Sequence, residues 1–310
     1  MTIDLWIPAG TPPARRAGLA SVAGVHEYGA QGPGSGQRQE PLGRADMLVA
    51  SHDLDAVADA IARLDDLRVV QTLSAGVDWI VDLIPAGITL CDASGVHDIA
   101  VAEWVVMAIL AANRRLPQLV DAQRLGTWRR EGSRGQDLDG ARVLILGHGS
   151  IGRAVERRLA PFGVELIRVA RSPREGVRMV SDLPGLLPAV DVLVVLLPLT
   201  AETRGFVDRE VMSLLQPGAL VVNASRGAVV DTDDLMAAVK SGGIRAALDV
   251  TDPEPLPAGH PLWSLPGVLI TPHVGGDVDR EEDRAWALVA DQATRLADGR
   301  ELRNVVVDGY

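Results

Sequence analysis

Val143-Leu-Ile-Leu-Gly-His-Gly-Ser-Ile-Gly152 decides the fold of this 310-residue chain. Val143–Leu146 reads as a buried strand, a glycine turn follows, and a helix opens at Ser150 or Ile151 and runs to Leu159. Gly147, Gly149 and Gly152 fit the G-x-G-x-x-G pattern in the context that gives it meaning, with a strand before and a helix after. Gly147 permits the tight turn, Gly149 lets backbone approach a pyrophosphate, and Gly152 lets the helix pack closely on the strand. The phosphates then sit at the positive end of the helix, against Ser150 and Ile151. A second strand, Val164–Val169, completes a βαβ unit of the dinucleotide-binding kind. His148, inside the turn, has no role in the pattern.

Outward from that unit the alternation continues. Asp191–Leu197, Ala219–Asn223, Ala246–Val250 and Val268–Thr271 read as strands, the first apolar on both faces, with a helix over Asp233–Lys240. This is an α/β pattern with a parallel, doubly wound sheet. Upstream, strands over Ile3–Ile7, Asp46–Ala50 and Arg68–Leu73 and a helix over Leu54–Leu64 predict a second α/β sheet. Asp98–Ala112 predicts a helix apolar nearly all round, with Asp98 as N-cap and Pro117 just past its end. Such a helix should be buried at a domain or subunit junction, with Glu103 a structural carboxylate. Tyr28–Gly36 should be a mobile loop, 121–139 a polar irregular segment containing Trp128, and Arg280–Leu296 the final helix.

Bulk properties bound the rest. The length exceeds what one core usually holds, so two domains are expected. Formal charge is −11, which argues against a nucleic-acid or anionic-membrane partner. Cys91 is the single cysteine, so one chain can form no disulfide and no cysteine metal site, as suits a reducing cytosol. No metal site is expected. The longest apolar run, Val192–Leu199, is too short to cross a bilayer. No signal peptide is expected at the N-terminus and no regulatory domain after the last helix, so the protein reads as cytoplasmic.

The cofactor subtype turns on the end of the second strand. In the NAD form an acidic side chain about 20 residues past the glycines holds the ribose 2′-hydroxyl. Here that place reads Val169-Ala-Arg-Ser-Pro-Arg174, without a carboxylate. Arg171 and Ser172, with Arg174 in support, suit a 2′-phosphate, so NADP is favoured and NAD is the alternative.

Ligands of such sheets bind outside the carboxyl ends of the strands. Three ends supply Arg226, Glu254 and His273. Reducing a 2-oxo acid needs a cation to hold the carboxylate and polarise the carbonyl, and an acid to protonate its oxygen. Arg226 has the planar fork for the first task, and His273 titrates in the range for the second. Glu254 beside His273 would favour the imidazolium and orient the ring. The same strand ends bring Leu197, Pro198 and Thr203, then Ala224, Ser225 and Arg226, and then His273 and Gly275 against the dinucleotide. The Ser74–Asp78 turn has two readings: an ordinary βα turn allowed by Gly76, or amides at Ala75, Gly76 and Val77 that hold a carboxylate.

With these segments in view, the chain resembles the D-isomer-specific 2-hydroxyacid dehydrogenase family. Val143–Gly152, Leu197–Arg204 and the block from Met212 to Gly276 carry the resemblance, with Ser74–Asp78 and Val101–Glu103 extending it more weakly. It implies that Arg226, Glu254 and His273 are the catalytic Arg, Glu and His, that Asp249 lies near the nicotinamide amide, and that Ser74, Ala75 and Gly76 hold the substrate carboxylate together with Arg226 and His273. It also implies a Rossmann-type domain over 98–277 and a smaller flavodoxin-like substrate domain from 1–97 and 278–310, with a cleft between them. Homodimers would form largely through the cofactor domains, near the 98–112 helix. The N-terminal third matches the family poorly, and Ala75 stands where a phosphite-oxidising relative would carry lysine. The expected activity is NADPH-preferring reduction of a small 2-oxo acid such as glyoxylate or hydroxypyruvate. The alternatives are an NAD-dependent dehydrogenase working oxidatively and a non-enzymatic, nucleotide-sensing binding protein.

Overall fold

The computed structural model describes residues 2–29, 40–172 and 174–307. Residues 30–36 of the expected glycine-rich loop, and Pro173, lie outside the described residues. The chain divides into two units, Met1–His97 with Asp279–Tyr310, and Asp98–Val278. The first opens with β1 (Ile3–Pro8), α1 (Pro13–Leu19), β2 (Ala23–Tyr28), β3 (Gly43–Arg44) and β4 (Met47–Ala50). It continues with α2 (Leu54–Arg63), β5 (Leu64–Asp65), β6 (Val69–Thr72) and β7 (Thr89–Cys91). The second begins with α3 (Asp98–Asn113), α4 (Leu116–Arg124), β8 (Arg142–Leu146), α5 (Ser150–Leu159), β9 (Glu165–Ala170) and β10 (Arg178–Met179). Next come α6 (Leu183–Leu186), β11 (Val192–Val195), α7 (Arg209–Ser213), β12 (Ala219–Asn223), α8 (Thr232–Lys240), β13 (Ile244–Leu248) and β14 (Val268–Ile270). The closing helix α9 (Glu281–Ala297) belongs to the first unit.

Five parallel strands form the main sheet of the first unit, in the order β2-β1-β4-β6-β7. Counted along the sheet this is 2-1-3-4-5, the flavodoxin-like order. Leu5, Ile7, Leu48, Val49 and Val70 are fully buried, as expected of strands covered on both faces. Asp53 starts α2 by accepting the Ala56 amide at 3.1 Å. Trp286, Val289, Ala293 and Leu296 of α9 pack on Ile3, Leu5, Met47 and Val49. Within that layer the buried Gln292 donates to Gln71 Oε1 (3.0 Å) and Arg303 O (2.9 Å), and accepts the Arg303 amide (2.8 Å). Cys91 is buried, and burial pushes its thiol up to about 12, so it is an inert core residue.

Seven parallel strands form the sheet of the second unit, β10-β9-β8-β11-β12-β13-β14. The order reverses between β8 and β11, the switch point at which the Rossmann arrangement binds its ligand. β8, β11 and β12 are buried except for Arg142, and α3, α5 and α8 each bury an apolar face. No helix among the described residues is long and apolar enough to cross a membrane.

Local differences from the sequence reading have physical causes. Pro117 does not follow α3 as a stop. It sits in the first turn of α4, where a missing N–H costs nothing, so part of the expected irregular segment is helical. Asp98 is the first residue of α3, and its carboxylate accepts the Ser150 hydroxyl. α3 buries Trp104, Val105, Ala108 and Ile109, but Ile99 and Met107 are nearly half exposed, at 45% and 46%. Glu103 is paired with Arg158 at 3.2 Å. Tyr28 is the buried last residue of the half-exposed strand β2, its hydroxyl donating to Val49 O at 2.8 Å, instead of opening a loop. β13 begins at Ile244, two residues earlier than expected.

Candidate active site

The glycine turn after β8 is shaped by close approach. Gly147 has φ +104°, and a Cβ there would lie 2.5 Å from Leu196 O, so the exit of β11 with Leu197 and Pro198 is held against the turn. At Gly152 a Cβ would lie 2.5 Å from Gly147 O and 3.3 Å from Ile145 Cγ2, so helix and strand touch only because no side chain intervenes. Gly149 differs: a Cβ there would meet nothing within 4 Å. Its backbone faces open space and starts α5 without a side-chain cap. A bare helix start next to exposed glycine backbone fits a pyrophosphate. Ser150 adds its amide position, while its hydroxyl is engaged by Asp98.

His148 has a role that its place in the motif concealed. The ring is buried, with Nε2 2.6 Å from Glu156 Oε2. Glu156 Oε1 in turn accepts Arg168 Nε (2.8 Å) and Nη2 (2.5 Å), and the Arg168 guanidinium holds the Glu156 carboxyl below the usual range. Since a carboxylate only accepts, Nε2 carries the proton. Arg174 donates to His148 O and points Nη2 at His148 Nδ1 (3.4 Å), which ties the loop after β9 to the glycine turn. Arg171 and Ser172, in that loop, are exposed.

The other strand ends are stitched into one surface. β12 ends in buried Asn223, whose Oδ1 accepts the Ser225 amide (3.1 Å) and hydroxyl (2.8 Å), and whose Nδ2 donates to Arg226 O (3.0 Å). Arg226 Nη1 donates to Ser225 O at 2.9 Å. Ala224 donates back to Val195 O at 3.3 Å, which places it beside the exit of β11. A Cβ on Gly227 would fall 1.9 Å from Thr251 O, so the loops after β12 and β13 lie in contact. Thr203 closes its own loop, donating to Pro198 O at 2.6 Å.

Asp249, buried just past β13, organises the loop after β14. Its carboxylate accepts the Thr271 hydroxyl (2.6 Å) and the amides of Val274 (3.0 Å) and Gly275 (2.7 Å). Trp104 donates to the Thr271 hydroxyl at 2.9 Å. The His273 amide donates to Asp249 O at 2.7 Å. These bonds over-determine the loop and hold His273 at φ +55°, a left-handed conformation that costs a non-glycine residue about 1 kcal/mol. The result is functional geometry: His273 Nδ1 lies 2.6 Å from Glu254 Oε1 on a half-exposed surface. Nδ1 therefore carries the proton shared with Glu254, and Nε2 is left for a reacting oxygen.

In the first unit, the turn after β6 is braced by neutral groups. Trp79 Nε1 donates to Gly76 O (2.8 Å) and Ser74 Oγ (3.0 Å), Ser74 Oγ donates to Gly76 O (2.9 Å), and Thr72 Oγ1 donates to Ser74 O (2.7 Å). His52 stacks on Trp79 with centroids 4.7 Å apart.

The structure thus gathers Gly147–Gly152, Leu197–Pro198, Ala224–Arg226, Asp249–Glu254 and His273–Gly275 at the carboxyl ends of neighbouring strands. Sequence reasoning missed Asn223, Thr271, Glu156 and Trp79, which position the others. A polar residue ending an apolar run, as in Leu220-Val-Val-Asn223 or Leu269-Ile-Thr271, is the signal that could have found two of them. Among the described residues no group of His, Cys, Asp and Glu could hold a metal ion.

Comparison with known proteins bears on this arrangement. A family model described as D-isomer specific 2-hydroxyacid dehydrogenase, NAD binding domain, matches residues 106–275. The D-3-phosphoglycerate dehydrogenase of Methanocaldococcus jannaschii is 34% identical over 279 residues, covering 86% of this chain and 52% of that protein. The chain therefore spans about half the length of that relative. The glyoxylate reductase/hydroxypyruvate reductase of Mus musculus is 34% identical over 297 residues, 88% of each chain. Among solved structures, a D-isomer specific 2-hydroxyacid dehydrogenase from Xanthobacter autotrophicus Py2, in complex with NADPH and MES, aligns over 100% of both chains with a TM-score of 0.84 and 30% identity.

Proposed function

The chain belongs to the D-isomer specific 2-hydroxyacid dehydrogenase family, and on that premise we propose that it reduces a small 2-oxo acid, glyoxylate or hydroxypyruvate, with NADPH preferred over NADH. The observation that carries this reading is the 2.6 Å His273–Glu254 pair at the carboxyl edge of a dinucleotide-type sheet. A bound reduced nicotinamide supplies the hydride. Arg226 holds the substrate carboxylate and polarises the carbonyl through its charged fork. His273 delivers a proton from Nε2 to the carbonyl oxygen, giving the 2-hydroxy acid, while Glu254 fixes the ring. The turn at Ser74, Ala75 and Gly76 adds amide dipoles for the carboxylate. Gly149 and the start of α5 take the pyrophosphate, and Asp249 and Gly275 shape the loop beside the nicotinamide.

NADP preference rests on Arg171 and Ser172, which stand exposed where the NAD pattern has an acid; NADPH in the Xanthobacter relative is consistent with it. The exposed Ile99 and Met107 on α3 support a homodimer formed through the second unit, and we place the protein in the cytoplasm.

Loss of nicotinamide absorbance with NADPH and with NADH, against a panel of 2-oxo acids, tests the reading. The expected result is faster turnover with NADPH, lost in Arg226→Ala. Arg171→Ala should raise KM for NADPH about tenfold and leave KM for NADH nearly unchanged. Absence of turnover with every 2-oxo acid, while NADPH still binds, would replace the enzyme by a nucleotide-sensing protein.

A further inference from the structure

The loop that follows β9 is tied to the glycine turn at two levels. In the backbone, the amides of Gly147 and His148 both donate to Val169 O at 3.0 Å. In the side chains, Arg174 Nη2 donates to His148 O and to His148 Nδ1, the latter at 3.4 Å. Arg174 opens the short turn that leads to β10, its carbonyl accepting the Val177 amide at 3.0 Å. Arg171 and Ser172 belong to the same segment and are exposed.

The protonation of His148 follows from its neighbours. Arginine only donates, so Nδ1 offers a lone pair. The Glu156 carboxylate only accepts, so Nε2 carries the proton. The ring is therefore a neutral tautomer, engaged at both nitrogens and only 6% exposed. Arg168 secures this order from β9: its two bonds to Glu156 Oε1 keep that group charged and unable to donate. A line of bonds thus runs from Arg168 through Glu156 and His148 to Arg174. Its last member is unbalanced. Among the described residues the Arg174 guanidinium makes no other hydrogen bond and no ion pair, and the residue is exposed. One nitrogen serves as the anchor, and the rest of the fork is left for an anion. Anchoring also removes rotamer freedom in advance, so less is lost when a ligand arrives.

We propose that His148 is a positioning residue for coenzyme selection: it holds Arg174 beside the seat of the 2′-phosphate, so that preference for NADPH is set from inside the glycine turn as well as by Arg171 and Ser172. This inference rests on the NADP reading given above. His148 acts here through Arg174. The pyrophosphate is common to both coenzymes, so a residue that merely shaped the turn would affect both alike. Only NADPH carries the 2′-phosphate, so an effect through Arg174 falls on NADPH alone.

The test is fluorescence titration of the whole protein with NADPH and with NADH, with far-UV circular dichroism to confirm folding of each variant. His148→Phe keeps a ring in the buried seat but loses both nitrogens. It should raise Kd for NADPH about tenfold and leave Kd for NADH within about twofold. His148→Asn keeps an acceptor where Nδ1 stands, and should retain the preference for NADPH. In an Arg174→Ala background, His148→Phe should add nothing further, because both act on one path. Equal weakening of both coenzymes in His148→Phe would overturn the proposal and leave the histidine a brace of the turn. So would an effect on NADPH that adds in full to that of Arg174→Ala. Should the Phe variant not fold, His148→Asn against Arg174→Ala still decides. Preference kept in the first and lost in the second upholds the proposal, and either opposite result overturns it. Wild-type protein that binds NADH as tightly as NADPH would sink the NADP reading and this inference with it. A wild-type preference for NADPH that survives in His148→Phe would sink this inference alone.

Discussion

After β6 the first unit turns through Ser74, Ala75 and Gly76 and braces that turn with hydroxyls and the Trp79 indole. After β12, β13 and β14 the second unit presents Arg226, Glu254 and His273. Both are carboxyl edges of parallel sheets, yet the bonds described at Ser74 and Gly76 join neutral dipoles, and the second edge presents groups that carry or exchange charge. Fixed dipoles recognise an anion equally before and during reaction, whereas a proton donor acts only as charge develops on the carbonyl oxygen. On the proposed function, damage to the first edge should appear in KM and damage to the second in kcat.

The largest expected effect comes from the second edge. His273→Ala should lower kcat by about 10³-fold and leave NADPH affinity unchanged, because the histidine transfers a proton and the glycine turn holds the cofactor. Steady-state rates with fluorescence titration of NADPH check both halves, and a pure KM effect would break the contrast. Glu254→Gln removes the carboxylate but keeps the shape. It should cost about 10- to 100-fold in kcat, as for a group that positions the ring and transfers nothing. Trp79→Phe, at the first edge, removes one donor to the Ser74–Gly76 turn. A net bond of about 1 kcal/mol predicts a KM for the oxo acid raised roughly fivefold with kcat kept. A fall in kcat instead would mean that this turn participates in the chemistry.

The smallest effect concerns a carboxyl near the first edge that does titrate. Burial lifts Asp92 from 3.8 to about 6, against the opposing hydrogen bond from the Ser94 amide. The folded form then binds its proton more tightly than the unfolded form. Its stabilising contribution is complete below the unfolded value and is lost as pH rises through about 6. Asp92→Asn should therefore raise the unfolding midpoint at neutral pH by a few degrees, on the order of 1 kcal/mol, and flatten stability between about pH 4 and pH 6. Melting curves across that range decide. A changed pH profile of kcat would move Asp92 into the chemistry and blur the distinction between the edges.

Legibility followed the same division. The second sheet was readable except for the short, exposed β10, because its other strands are apolar runs closed by polar or turn residues, and β8 ends at a tight βα turn that needs glycine where Gly147 and Gly152 stand. Arg226, Glu254 and His273 were visible because each follows such a run. What escaped was decided by partners far along the chain. His148 meets Glu156 a full two turns into α5, and Glu156 meets Arg168 on β9, a relation that no local pattern encodes. α4 was hidden by Pro117, since proline reads as a stop although it suits a first helical turn. β2 was hidden by its half-exposed, mixed composition beside glycines, and only pairing with β1 makes it a strand.

Residues from both ends of the sequence complete the first unit, with α9 lying over β1 and β4 and Gln292 bonded to Gln71. During synthesis the opening strands must therefore wait for nearly the whole chain to leave the ribosome before that apolar face is covered. Residues 98–278 can finish their own sheet in the meantime. Truncation before α9 would leave Ile3, Leu5, Met47 and Val49 without their lid, so nascent fragments of this length should attract chaperones through the first hundred residues and not through the middle of the sequence.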